Sequence, residues 1–350
     1  MAGSAHRRED AAEQDLAAVA IANDAAERVR GTTSPNPPVG AVILDTDGLI
    51  AGVGATSPVG GPHAEVMALG VAGDRARGGT AVVTLEPCNH TGRTGPCTAA
   101  LIEAGIERVV YAVTDPNPQA AGGADTLRAA GVDVLGGVGA DLVERTSLRA
   151  WLHRQRTGRA HVTWKFAASL DGRSAAADGT SQWITGPEAR ALVHLERAKL
   201  DAIVVGTGTV LADDPWLTAR EPDGSLADRQ PLRVVVGKRE IPRSSRVLDD
   251  AAETLILRTR DPHEVLAALA DRPDVLLEGG PHLAGAFLEA GLIDRVHAFL
   301  SPVLLGAGAA AVEDAGVGTI AQALRFTRES VDAVGPDLLL TLVPQRSDRT

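Results

Sequence analysis

The chain contains two cysteines, Cys88 and Cys97, and each directly follows a proline. Upstream lies His63-Ala64-Glu65, itself preceded by Pro62. One imidazole and two thiolates suit zinc, and three protein ligands leave the fourth tetrahedral position open to water. Zinc in such a site brings the pKa of that water toward neutrality, the basis of metal-assisted hydrolysis. A carboxylate beside the metal that is not a ligand can then carry protons, and Glu65 is the candidate. His63 and Glu65 are two apart, so on a regular helix they diverge. They converge if His63 sits at the helix entrance with its backbone still extended, which Pro62 favours. Cys97 is expected to open the next helix, where the dipole favours a thiolate.

Two other readings stand beside this one. Two thiols in a chain of this size are often plain buried apolar side chains. His90, between the cysteines, would close the site as a fourth ligand if the zinc were structural. That closed site leaves Glu65 without a role. The general zinc-deaminase pattern has His-x-Glu followed by two cysteines two residues apart. Here eight residues, 89–96, separate them.

The elements that must carry these residues alternate. A helix is expected over 10–30, with Leu16, Val19 and Ala20 on one side and Gly31 as its stop. Strands follow at 39–44 and 49–53 about the Asp47-Gly48 turn, then a helix at 63–71 and a strand at 81–85 ending in Glu86-Pro87-Cys88. A helix at 98–104, a strand at 108–113, a helix at 125–130 and a strand at 132–135 come next. One helix over 141–156 closes the pattern, and Thr157-Gly158 breaks it. The alternation restarts with a strand at 161–168 and runs to β segments at 294–305 and 325–343. The reading is thus two α/β units, 1–150 and 151–350, with the break near 150–158. The polar stretch 220–230 reads as a surface loop.

Gly-rich turns punctuate the second unit. Gly306-Ala307-Gly308 with Ala311 formally fits a dinucleotide fingerprint, but no acid follows at the required place, so it is a decoy. Glu278-Gly279-Gly280 lies between a strand and a helix, where backbone N–H groups can hold a diphosphate; an ordinary tight turn fits the same residues.

Composition sets outer bounds. The chain has 350 residues, 44% hydrophobic and 23% charged, with a net charge of −11. Such a balance argues against a nucleic-acid partner. No run of 18 apolar residues occurs, so no membrane partner is expected. The polar start lacks a signal-peptide core, which points to the cytoplasm.

The string 84–97 closely resembles the deaminase half of the bifunctional diaminohydroxyphosphoribosylaminopyrimidine deaminase/5-amino-6-(5-phosphoribosylamino)uracil reductase family. So do Pro35-Asn36-Pro37-Pro38-Val39-Gly40, Pro62-His63-Ala64-Glu65-Val66 and Asp115-Pro116-Asn117-Pro118. In the second half, 164–173, 181–185, 208–215, 277–281 and 334–337 resemble the family's reductase domain, and the likeness spans about 12–343. It implies a cytidine-deaminase-like α/β/α layered domain followed by a dihydrofolate-reductase-like α/β domain. It implies riboflavin biosynthesis: zinc-dependent deamination of 2,5-diamino-6-ribosylamino-4(3H)-pyrimidinone 5′-phosphate, then NADPH reduction of the ribosyl group of 5-amino-6-(5-phosphoribosylamino)uracil to ribityl. The cofactors are Zn2+ and NADPH, the partner is the small pyrimidine ribotide, and a homo-oligomer is compatible with the family.

Carried over by position, Glu65 is catalytic and His63, Cys88 and Cys97 hold the metal. Asn36, His90 and Arg93 contact the first substrate. Lys165, Ser181, Arg197, Leu217, Arg220 and Glu278 contact the second, with Arg197 and Arg220 holding its phosphate and base edge by charge-assisted hydrogen bonds. NADPH falls to Ala167, Trp183, Thr209, Asp213 and Lys238, and to the turn Gly280, Pro281, His282, Leu283, Ala284, Gly285 and Ala286. In the family pattern the turn after 232–236 lies near the adenosine end of the cofactor, so Lys238 and the adjacent Arg239 are candidates for the 2′-phosphate; a solvated basic turn fits the same residues. The sequence departs from the commonest family pattern at Ser34, Ala55-Thr56, Asn89, Gly95 and the shortened turn after Gln119, none of them a ligand or Glu65. A deaminase of another substrate class fused to an unrelated domain, and a structural zinc module with a nucleotide-binding regulator, are the competing readings.

Overall fold

The structure is a computed structural model and describes residues 2–90 and 95–345. The chain divides into two compact units, Met1–Gly158 and Arg159–Thr350. No helix among the described residues is long and apolar enough to cross a membrane.

The first unit runs α1 (Ala2–Arg28), β1 (Gly40–Leu44), β2 (Ile50–Ala55), α2 (Ala64–Ala72), β3 (Thr80–Leu85), α3 (Cys97–Glu103), β4 (Arg108–Val113), α4 (Gly123–Ala129), β5 (Asp133–Gly136), α5 (Ala140–Arg145) and α6 (Arg149–Thr157). Its sheet has the order β2-β1-β3-β4-β5. Strand β1 is antiparallel to β2 and β3, whereas β3, β4 and β5 are parallel. Every residue of β1 is buried, as a continuous apolar run predicts for a central strand covered on both faces. Val19 and Ala22 of α1 pack on one face. Glycines let the other helix come close. A Cβ on Gly54 would lie 2.5 Å from the Ala64 carbonyl oxygen, so α2 rests directly on the β2 backbone. That contact holds the entrance of α2, and with it His63, at the end of the sheet.

The single helix expected over 141–156 is two. Thr146 and Ser147 both donate their hydroxyls to Asn23 Oδ1 on α1, at 2.8 and 2.7 Å, and the Leu148 N–H returns to the Val143 carbonyl. Side-chain hydrogen bonds of this kind compete with the helical ladder. The second piece, α6, buries Trp151 and Leu152 in the core of the first unit and ends at Gly158 with φ 76°. A boundary at 150/151 would cut it from that core.

The second unit contains β6 (His161–Ser169), α7 (Pro187–Arg197), β7 (Ala202–Gly206), α8 (Thr207–Asp213), β8 (Leu232–Val236), β9 (Thr254–Leu257), α9 (Pro262–Ala268), β10 (Asp274–Leu277), α10 (Pro281–Glu289), β11 (Arg295–Ser301), β12 (Phe326–Val334) and β13 (Asp337–Pro344). Eight strands form one sheet in the order β12-β13-β11-β6-β10-β7-β8-β9. From β11 to β9 every pairing is parallel; β13 and β12 are added antiparallel. The apolar runs of β7, β8 and β10 lie in the middle and are almost wholly buried. Helix α8 starts directly after Gly206, inside the Gly-rich segment Val205-Gly206-Thr207-Gly208. In a parallel sheet, ligands gather at the carboxyl ends of the strands. Here that edge carries Gly206-Thr207 after β7, Gly237-Lys238 after β8 and Glu278-Gly279-Gly280 after β10.

Candidate active sites

In the first unit the metal-type residues meet. His63 is the N-cap of α2, with φ −77° and ψ 165°, so its side chain leaves the chain before the helix begins. Glu65, inside the first turn, is 4% exposed. Cys88 follows β3, and Cys97 is the first residue of α3. The His63 Nδ1 lies 3.2 Å from Cys97 Sγ and 3.5 Å from Cys88 Sγ. All three ligand atoms lie within 4.8 Å of one another. Tetrahedral zinc with bonds of about 2.3 Å to sulfur and 2.0 Å to nitrogen needs N···S edges of about 3.5 Å, so the residues fit the metal. Among the described residues His90 does not join this group, which leaves the fourth vertex without a protein ligand.

The electrostatics match a set built for a cation. Cys88 is held down to about 4, chiefly by the Cys97 thiol and also by the His63 ring. Cys97 is pushed up by the proton it shares with Cys88 and by burial. His63 is raised by its hydrogen bond to Cys88, against burial. Burial lifts the Glu65 carboxyl above its ordinary value, and the neighbouring Cys88 adds to the lift. A raised carboxyl holds and releases a proton closer to neutral pH, as a shuttle requires.

A cavity of about 470 Å³ opens over these residues, and Asn36 and His90 line it. Arg93 lies outside the described residues. Thr56, a departure from the family pattern, lines it too, while its hydroxyl accepts from the Val39 N–H at 3.1 Å. Asp115, Asn117, Trp151 and Gln155 are also lining residues and were missed as site candidates. The first two sit in a motif already visible, Asp115-Pro116-Asn117-Pro118. Trp151 and Gln155 come from α6 and carry no local signal. Buried Glu86 accepts from the Asp115 N–H at 3.3 Å and the Ala124 N–H at 3.0 Å. It thereby ties the segment bearing Cys88 to the loop after β4 and the start of α4.

The second unit holds a larger cavity, about 1300 Å³, along its strand ends. Lys165, Ser181, Arg197, Leu217, Arg220 and Glu278 all line it, as do Ala167, Trp183, Thr209, Asp213 and Lys238. Gly280, Pro281, His282, Leu283 and Ala286 line it as well. Ala284 and Gly285 do not: Ala284 is buried in the core, and Gly285 packs where a Cβ would meet the Glu313 carbonyl oxygen at 1.8 Å. The helical period turns these two residues of the expected cofactor turn away from the ligand space.

Many of these side chains are partners of one another. Arg197 donates Nε to Glu278 Oε1 at 2.7 Å and Nη2 to Oε2 at 2.6 Å; its Nη1 reaches the Thr218 carbonyl at 3.1 Å. Arg197, expected with Arg220 to hold the substrate's phosphate and base edge, lines the cavity with its charge matched by Glu278. Burial pushes Glu278 up, but Arg197 and then Lys165 outweigh it and hold the carboxyl below its ordinary range. Burial lowers Lys165, with Glu278 opposing and Arg197 assisting. The Ser181 hydroxyl donates to Asp213 at 2.9 Å, joining an expected substrate residue to an expected cofactor residue. Trp183 is exposed, with the Arg190 guanidinium 4.5 Å from its ring centre.

The cofactor end fits a dinucleotide. Gly280 adopts φ 63° at the N-terminus of α10, and a Cβ on Gly279 would lie 2.8 Å from Thr209 Oγ1. Side chains are excluded there, leaving backbone N–H groups and a nine-residue helix start for a diphosphate. Lys238 and Arg239 are exposed beside the same cavity, and Arg246 and Arg260, which sequence reasoning missed, join them.

The comparisons with known proteins follow this division. A family described as "Cytidine and deoxycytidylate deaminase zinc-binding region" matches residues 12–113, and one described as "RibD C-terminal domain" matches 160–340. The riboflavin biosynthesis protein RibD of Mycobacterium tuberculosis is 61% identical over 326 residues, covering 93% of this chain and 96% of that protein. That of Escherichia coli K12 is 41% identical over 368 residues, covering 94% and 99%. The crystal structure of a diaminohydroxyphosphoribosylaminopyrimidine deaminase/5-amino-6-(5-phosphoribosylamino)uracil reductase from Thermotoga maritima superposes with a TM-score of 0.87 at 32% identity, over 95% of this chain and 99% of that one. The Acinetobacter baumannii RibD structure gives 0.84 at 38% identity, over 96% and 100%.

Proposed function

This chain belongs to the RibD family of riboflavin biosynthesis enzymes, and from that membership we propose which of its residues perform the two reactions. The enzyme is a zinc-dependent deaminase and an NADPH-dependent reductase. It deaminates 2,5-diamino-6-ribosylamino-4(3H)-pyrimidinone 5′-phosphate and reduces the ribosyl group of 5-amino-6-(5-phosphoribosylamino)uracil to ribityl.

His63, Cys88 and Cys97 hold the zinc, which supplies a Lewis acid that makes water nucleophilic near neutral pH. Glu65 moves the protons, taking one from the attacking water and delivering one to the departing amine. Asn36, Asn117 and His90 surround the pyrimidine, and Trp151 helps exclude bulk water. The observation that carries this reading is the convergence of one imidazole and two thiols beside a buried, raised carboxyl.

In the reductase, NADPH supplies the hydride. The Gly279-Gly280 turn and the start of α10 take its diphosphate, and Lys238 with Arg239 takes its 2′-phosphate. Glu278 and Ser181 position the ribotide. Lys165 presents an ammonium whose burial makes it give up a proton more readily than a surface lysine. Residues 1–158 form the deaminase domain and 159–350 the reductase domain. We also place the enzyme in the cytoplasm, with small molecules and further copies of the chain as its partners; the net charge of −11 supports excluding nucleic acid.

One assay tests the whole. The diaminopyrimidine ribotide is incubated with zinc-loaded protein and NADPH while ammonia and cofactor absorbance are followed together. Ammonia release followed by NADPH oxidation is the expected result. Neither signal, from protein with zinc bound, would leave a structural zinc module instead.

A further inference from the structure

The reductase cavity contains a histidine to which neither the family resemblance nor the mechanism above gives a task. His194 lies on α7, one turn before Arg197, and lines the cavity together with Arg197, Glu278 and Arg220. It is half-buried. Its Nδ1 lies 3.1 Å from the Thr218 carbonyl oxygen, which also accepts from Arg197 Nη1. A carbonyl oxygen only accepts, so the hydrogen is on Nδ1 and the lone pair of the neutral ring is on Nε2. Nε2 has no protein partner among the described residues. The loop 217–220 thus clamps the ring through one nitrogen and leaves the other for the cavity.

The charges around it identify what it receives. Arg197 and Glu278 neutralise each other through two short hydrogen bonds. Arg190, one turn earlier on α7, is engaged by the Thr185 carbonyl and the Trp183 ring. Lys165 on β6 is coupled to Glu278 and Arg197. Arg246, stacked on the Trp216 ring, is paired with Asp214. Arg220 remains: its guanidinium touches the Gly224 carbonyl and the same ring, and no carboxylate lies within salt-bridge distance among the described residues. A phosphomonoester brings about 1.5 to 2 negative charges at neutral pH. One fixed cation leaves roughly one of those charges unmatched, and an imidazole with a free nitrogen can match it by taking a proton.

We propose that His194 is a substrate-contacting residue of the reductase, its Nε2 binding the phosphomonoester of the ribotide together with Arg220 and acquiring a proton on binding. This rests on the ribotide occupying the reductase cavity, as proposed above. In the free site burial and then Arg197 hold the imidazole below its ordinary value; the Thr218 carbonyl and Glu278 oppose them, and Arg220 adds a little to the lowering. A bound dianion reverses the balance and raises it. The contribution to binding is therefore complete below the free-site value and is lost as pH rises through the bound-site value.

The test uses the full chain and His194→Asn, whose amide nitrogen takes the place of Nδ1 and can still donate to the Thr218 carbonyl, while nothing occupies the place of Nε2. KM and kcat are measured against pH for 5-amino-6-(5-phosphoribosylamino)uracil and for its dephosphorylated riboside, with NADPH affinity alongside. The second ionisation of the phosphate itself is common to both proteins and drops out of their ratio. At about pH 6 the variant should raise KM for the ribotide on the order of tenfold, with kcat nearly kept, and the gap should close toward about pH 8–9. The riboside KM and NADPH affinity should be equal in the two proteins. Superimposable KM–pH profiles overturn the proposal. An equal loss on the riboside overturns it in favour of a sugar or base contact. A loss confined to NADPH overturns it in favour of the cofactor's 2′-phosphate, the other phosphomonoester in this reaction. Glu278→Gln separates the two levels of inference. If that variant reduces the ribotide normally, the placement of the substrate fails; if it is inactive while His194→Asn is silent, only the role of His194 fails.

Discussion

The two sites solve opposite problems. The deaminase centre is small, about 470 Å³, and its chemistry rests on three ligand atoms held by helix and strand ends. The reductase site is a groove of about 1300 Å³ whose charged side chains largely hold one another. A metal needs a few donors at fixed edges, so the first site is preassembled. A long dinucleotide beside a second substrate needs length and a graded field, so the second spreads its contacts over six strands or the turns that follow them. The lesson is about redundancy: loss of one group should abolish the first activity, whereas the second should decline by steps.

The largest effect is expected from Cys88→Ala. Zinc content by metal analysis and ammonia release should both fall to background, while NADPH oxidation with the deaminated ribotide continues. Retention of stoichiometric zinc by this variant would mean that the ligand set is wrong.

Next comes the end of the first unit. A fragment 1–158 keeps α6, whereas 1–150 removes Trp151 and Leu152 from its core. Losing two such side chains costs roughly 5 kcal/mol or more. Urea titrations should therefore find the longer fragment folded and deaminating, and the shorter one largely unfolded. Equal midpoints would move α6 out of the deaminase core.

Glu65→Gln is expected to rank third. It should keep zinc and lose deamination by about a hundredfold, the usual scale for removing a general acid–base. Normal ammonia release would reassign the proton transfer. The mildest change belongs to the groove. Lys238→Ala with Arg239→Ala should weaken NADPH by about tenfold and leave NADH nearly unchanged, since each charged hydrogen bond to phosphate contributes about 1.5–3 kcal/mol before losses to solvent at so exposed a turn. Equal losses for both cofactors would make the turn a general electrostatic feature, and titration calorimetry with each cofactor distinguishes the outcomes.

Legibility in the sequence follows the same contrast. His63, Glu65, Cys88 and Cys97 stand in short motifs whose residue types admit few chemistries, and Pro62 and Pro96 mark the helix entrances. Most strands were visible because their apolar runs are bounded by Gly, Pro and Asp. Three features were not legible. The break at 146–148 depends on Asn23, more than a hundred residues away, accepting two hydroxyls. Trp151 and Gln155 reach the deaminase cavity only because α6 folds back onto the sheet. The pairing of Arg197 with Glu278 joins residues 81 apart.

Residue type, order and spacing alone determined the metal, the α/β class and the family, and named Glu65 as the candidate proton carrier, because ligand chemistry and hydrophobic period are local properties. Tertiary structure alone decided the rest. It closed Arg197 on Glu278, so that a cation which reads as a phosphate ligand becomes half of an internal ion pair. It turned Ala284 and Gly285 into the core, because a helix presents only one face to a groove. It also set His194 against the Thr218 carbonyl, fixing which nitrogen stays free. Charge compensation, helix facing and tautomer are set by neighbours in space, and no window of sequence contains those neighbours.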